Sequence, residues 1–100
     1  MSLSPVIGVL TVTLHLPASG SLKAKRQVVA GLLRRIRARY GVAAAEVGER
    51  NLWQIAHLAV TCVSQDASHC DEIMANVLTY IEKEAREARI TDVRTELLRV

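Results

Sequence analysis

From Val6 to Leu16 the chain alternates: Val6, Leu10, Val12, Leu14 and Leu16 fall on one side, and Ile7, Val9, Thr11, Thr13 and His15 on the other. Side chains of an extended segment point to opposite faces in turn, so this is a strand with one clearly apolar face. The turn signal "PASG" follows, and the period then changes. Leu22, Val29, Leu32, Leu33, Ile36 and Tyr40 gather in one sector at about 100° per residue, the stripe of a helix that covers a sheet. Ser21 is placed to cap its start and Gly41 its end.

A short second strand is expected over Val42 to Val47, and "GERN" leads into a third from about Trp53 to Ser64, with Ala56, Leu58, Val60 and Cys62 facing the core. Ile73, Met74, Val77, Leu78 and Ile81 then mark a second amphipathic helix running to about Ala88. The final "ITDVRTELLRV" alternates as a fourth strand, but apolar side chains fall on both of its faces. Strand, helix, strand, strand, helix, strand is the order of an α+β ferredoxin-like sandwich, a four-stranded antiparallel sheet with two helices on one face. Its first and third strands are central, and the Ala-rich second strand suits an edge. With no linker or low-complexity tract, residues 1–100 are expected to form a single ferredoxin-like domain.

Composition sharpens this picture. Half of the chain is hydrophobic, yet there is no Phe, one Trp and two Tyr, so the core must be built from aliphatic side chains. The opening "MSLSPVIGVLTVTLHL" lacks a basic leader, and no run reaches the roughly 18 apolar residues of a membrane span, which leads to the expectation of a cytoplasmic protein with no membrane partner. Cys62 and Cys70 are too few for a disulfide framework and read as buried thiols.

The net charge of +3 conceals a segregation: residues 1–45 carry seven Lys or Arg and no acid, whereas the remainder carries six cations against ten acids. Taking Lys23 as 0°, the helical rule puts Arg26 at about 300°, Arg34 at about 20° and Arg37 at about 320°, with the apolar stripe near 240°. Lys23, Arg26, Arg34 and Arg37 thus form an outward ridge, a candidate phosphate-binding surface because such cations displace the counterions of a nucleic-acid backbone. Lys25 and Arg39 border the other margin of the stripe and are expected to snorkel along the sheet edge. A solvated helix face is the alternative reading of the ridge.

Several pieces, namely "HLP", "SLKAKR", "RRIRARYGV", "AEV" and "LWQ", resemble the YlxP-like family of small bacterial proteins of unknown function, and the resemblance runs along nearly the whole chain. It implies a ferredoxin-like fold and a bacterial cytoplasmic setting associated with RNA or the ribosome, since genes of that family commonly neighbour those of transcription termination, translation initiation and ribosome maturation factors. It supplies no catalytic or cofactor residues. Relatives often carry an acid where this chain has Ala24, which puts a salt-bridge role for Lys23 and Lys25 in doubt.

The remaining constellations are weaker. The central strands offer Thr11, Thr13, His15, His57, Ala59 and Thr61 where an RNA-recognition motif would present stacking aromatics, so base-specific reading of single strands is not expected. Ile7, Val9, Ile55, His57 and Val63 share that open face and form the expected homodimer interface, with edge-strand pairing as the alternative. His15 and His57 there could instead mark a small-ligand or enzymatic site. Ala24, Gly31 and Ala38, spaced by seven, could seat a partner protein's helix. His69, Cys70 and Asp71 match no metal motif, Glu46 and Glu49 read as solubilising acids beside a turn, and there is no P-loop, GxGxxG or GxSxG segment. The expectation is a non-catalytic protein with no cofactor, metal or small-molecule ligand.

Overall fold

A computed structural model describes residues 3–100; Met1 and Ser2, with which the opening segment begins, lie outside the described residues. The chain runs β1 (Val6–His15), α1 (Leu22–Tyr40), β2 (Ala43–Val47), β3 (Ile55–Ser64), α2 (Ala67–Glu84) and β4 (Arg89–Arg99). The strands form one antiparallel sheet in the order β2-β3-β1-β4, with two helices packed on it, so the ferredoxin-like expectation is met.

Alternation becomes burial without exception along the first strand's core face: Val6, Leu10, Val12, Leu14 and Leu16 are all inaccessible, and Ala56, Leu58, Val60 and Cys62 meet them from β3. The register sets Leu10 opposite Val60 and Val12 opposite Leu58, so the two central strands bring their largest aliphatics together. Val29, Leu32, Leu33 and Ile36 of α1 and Cys70, Met74, Val77 and Ile81 of α2 close the layer from above. Ser21 accepts a hydrogen bond from the Ala24 amide at 3.0 Å, and Gly41 ends α1 in the left-handed region at φ 62°, where the missing Cβ removes the steric penalty.

Four boundaries differ from the sequence reading. β2 begins at Ala43, one residue later than expected, and β3 begins at Ile55, which leaves Trp53 in the preceding loop, 56% exposed. α2 ends at Glu84 because Ala85 leaves helical geometry (φ −85°, ψ 62°) as the chain turns to enter β4, although the residues up to Ala88 have good helix propensity. β4 starts one residue early, and a bulge where it passes Thr13 and Leu14 of β1 leaves Thr91 outside the ladder.

Candidate nucleic-acid interface

The helix that carries the cations is built to keep one of them in and the others out. Lys25 is fully buried, not a snorkelling margin residue as expected. Its Nζ donates to the Arg50 carbonyl at 2.7 Å and the Ile55 carbonyl at 3.2 Å, and it lies 2.9 Å from Glu46 Oε2. That oxygen is itself buried and receives no well-directed hydrogen bond, so the third contact is an ion pair rather than a shaped bond. Glu46 reaches Lys25 because it stands opposite Leu58, on the helix side of β2. Its role is therefore internal, contrary to the reading of Glu46 as a solubilising acid, and Lys25 has a salt-bridge partner after all, 21 residues downstream.

The other six cations of α1, Lys23, Arg26, Arg34, Arg35, Arg37 and Arg39, are all exposed. Among the described residues there are two ion pairs, Lys25–Glu46 and Arg94–Asp92, so none of the six is matched with an acid. Two members of the expected ridge touch neutral groups: Arg26 donates to Asn51 Oδ1 at 3.3 Å and Arg37 to the Ala44 carbonyl at 3.0 Å. A guanidinium has five N–H donors, so each retains most of its capacity for a phosphate. Arg39 lies over the Tyr40 and Tyr80 rings, 5.7 and 5.3 Å from their centroids, which fixes it by cation–π contact. From Lys23 to Arg37 the ridge extends about 21 Å along the helix axis.

At its Arg26 end the ridge borders a cleft of about 480 Å³ between α1 and the β2–β3 loop, lined by Arg26, Glu46, Glu49, Arg50 and Asn51 among others. Glu49 also acts internally, its Oε1 accepting from the Asn51 amide at 2.9 Å to shape the loop. The small-residue row is interrupted: Gly31 is buried, Ala24 half-buried and Ala38 exposed, and the Arg35 guanidinium lies 3.3 Å from where a Gly31 Cβ would stand.

The open sheet face collects Ile7, Val9, Ile55, His57 and Val63 as the alternation requires; the first four are half-buried and Val63 is 68% exposed. His57 is engaged through Nδ1 with Thr13 Oγ1 at 3.0 Å, while His15 stands one diagonal step away, opposite Ile55. Cys70 is buried and its neighbours His69 and Asp71 are exposed, so these three do not converge. Among the described residues no three His, Cys, Asp or Glu side chains are grouped to hold a metal ion. No helix among them is long and apolar enough to cross a membrane.

Residues 7–95 match the model of a family described as a protein of unknown function, DUF503. This chain belongs to that family. It is also 31% identical over 78 residues to the uncharacterized protein YlxP of Bacillus subtilis (strain 168), covering 78% of this chain and 84% of the relative. Membership of DUF503 agrees with the YlxP-like resemblance of the basic first helix, but names no reaction or ligand. Among solved structures, the chain is similar to part of a VAO-type flavoprotein from Myceliophthora thermophila C1, with a TM-score of 0.58 at 12% identity over 95% of this chain and only 16% of that one. It is also similar to the de novo designed protein Foldit4, with a TM-score of 0.51 at 14% identity over 92% of this chain and 96% of the design. An arrangement that serves as a small portion of a flavoprotein and as a designed object carries no function by itself. What this DUF503 protein does must be argued from its side chains.

Proposed function

We propose that this DUF503 protein is a non-catalytic, cytoplasmic factor that binds structured RNA, ribosomal RNA included, through the phosphate backbone on the outer face of α1. The observation that carries the reading is the set of six exposed, acid-free cations on that helix, beside a seventh that Glu46 neutralises in the interior. A helix that only needed solubility would gain more from mixed charges, because interspersed acids both hydrate the surface and form i, i+4 pairs. Lys23, Arg26, Arg34 and Arg37 are the residues assigned to phosphate. The sheet face carries threonines, alanines and two histidines but no Phe, Tyr or Trp platform for bases, so recognition follows backbone shape and charge.

The test is RNA binding at several salt concentrations by the wild type and by a variant in which Lys23, Arg26, Arg34 and Arg37 are all changed to Gln. Loss of four phosphate contacts should make the log–log salt slope shallower by about 3 and weaken binding most at low salt. Equal affinity and equal slope in the two proteins would refute the assignment.

A further inference from the structure

β4 is an edge strand of 11 residues that is exposed from Thr91 onward, only Ile90 packing partly against the core: Val93 and Leu97 on the helix side are 40% and 38% exposed, and Leu98 on the open side 43%. A long exposed edge with apolar side chains on both faces is a template for another strand. We propose that its occupant is β4 of a second copy, paired antiparallel about Thr95 to make a continuous eight-stranded sheet.

The register follows from symmetry. A two-fold axis perpendicular to the sheet keeps every side chain on its own face, and opposite residues of paired strands share a face. The strand must therefore cross its copy at a residue and not between two. Crossing at Arg94 or at Glu96 sets like charges directly opposite each other. Crossing at Val93 pairs Asp92 with Arg94 but leaves Leu98 and Val100 beyond the copy's end. Crossing at Thr95 sets Arg94 opposite Glu96 twice and Val93 opposite Leu97 twice, ion pairs on the open face and aliphatic pairs on the helix face. Thr95 also lies beside the midpoint of the regular run from Asp92 to Arg99, which the bulge at Thr91 bounds on one side. Arg94 is 82% exposed and now meets only Asp92 of its own strand, through Nε at 3.2 Å, so its remaining N–H groups are free to receive the copy's Glu96.

Sedimentation measures the mass of the full chain, 11.0 kDa as one copy and twice that as a dimer, across a concentration series. The wild type should dimerise. Arg94→Glu and Glu96→Arg should each weaken dimerisation by on the order of 10-fold or more, because two attractive pairs become repulsive. The double variant carrying both changes restores opposite charges and should recover the dimer; each exchange is at an exposed site, so circular dichroism should report an unchanged fold. A wild type that stays monomeric throughout would overturn the proposal. So would a dimer indifferent to both single reversals and abolished by Val63→Asp, which would assign the contact to the open face instead.

Discussion

The two edges of this sheet sit under similar helices and are finished in opposite ways. On the α1–β2 flank the edge strand is five residues long, and polar contacts from α1 fasten it: the Lys25 ammonium below, bound to Glu46 and to the loop that follows β2, and the Arg37 guanidinium outside, on the Ala44 carbonyl. On the α2–β4 flank the contacts are apolar or sulfur-based, with Met74 and Cys62 seated against Gly8 of β1, and the edge strand beyond them is twice as long and exposed. Charge used inside one flank closes its edge, and charge left outside on the other keeps its edge available. The difference separates two surfaces at opposite ends of the sheet: a cationic helix beside the closed edge, and a strand with alternating Arg and acid at the open one.

The sharpest way to break the closed flank is Lys25→Met. It leaves the Glu46 carboxylate in the interior without its countercharge and takes the donor from two carbonyls, so stability should fall by about 3–5 kcal/mol. Adding Glu46→Leu to that variant removes the stranded charge and should recover much of the loss. Urea unfolding of the three proteins checks both statements, and the β4 flank should be unaffected apart from global unfolding. If Lys25→Met cost less than about 1 kcal/mol, the ion pair would not be what fastens β2.

How much of this was legible beforehand depends on the range of the contact. The faces of β1 and β3 follow from their own alternation, and every core residue expected there is buried. Helical angles alone put Lys25 at the margin of the apolar stripe, snorkelling, yet at about 200° it lies only about 40° from the centre of that stripe and is fully buried. Its partner could not be found from the helix, since Glu46 enters through strand pairing with β3. β4 has no clear inner face because, apart from Ile90, its side chains are exposed on both faces, so the ambiguous pattern is itself the sign of an open edge. The exposed ridge follows from helical angles alone, but the absence of acid partners depends on where the fold brings Glu46 and Glu49.

The α2 flank responds to pH instead of to charge removal. Burial, reinforced by the neighbouring Cys70 thiol, pushes the Cys62 thiol from its ordinary 9.0 up to about 11. Between those values the unfolded chain gives up a proton that the folded chain keeps. The contribution is therefore complete below pH 9 and is lost as pH rises through about 11. Stability measured from pH 8 upward should fall more steeply in the wild type than in Cys62→Ala, and equal slopes would show that the thiol is not shielded.

The smallest expected effect isolates the outer latch. Arg37→Ala removes one exposed hydrogen bond to an edge carbonyl, which should lower stability by no more than about 1 kcal/mol. Its local signature should be clearer than its global one. Amide exchange should quicken over Ala43–Val47, where α1 no longer holds the strand, and stay unchanged over Arg89–Arg99, which has no such latch to lose. Arg37→Lys separates the two duties assigned to this side chain. A lysine keeps the positive charge offered to phosphate but not the planar fork that reaches a carbonyl while leaving donors over. That variant should therefore retain most of the salt-dependent RNA binding while β2 exchanges as fast as in Arg37→Ala. Loss of binding together with the latch would mean that the strand's position, not the ridge charge, sets the affinity.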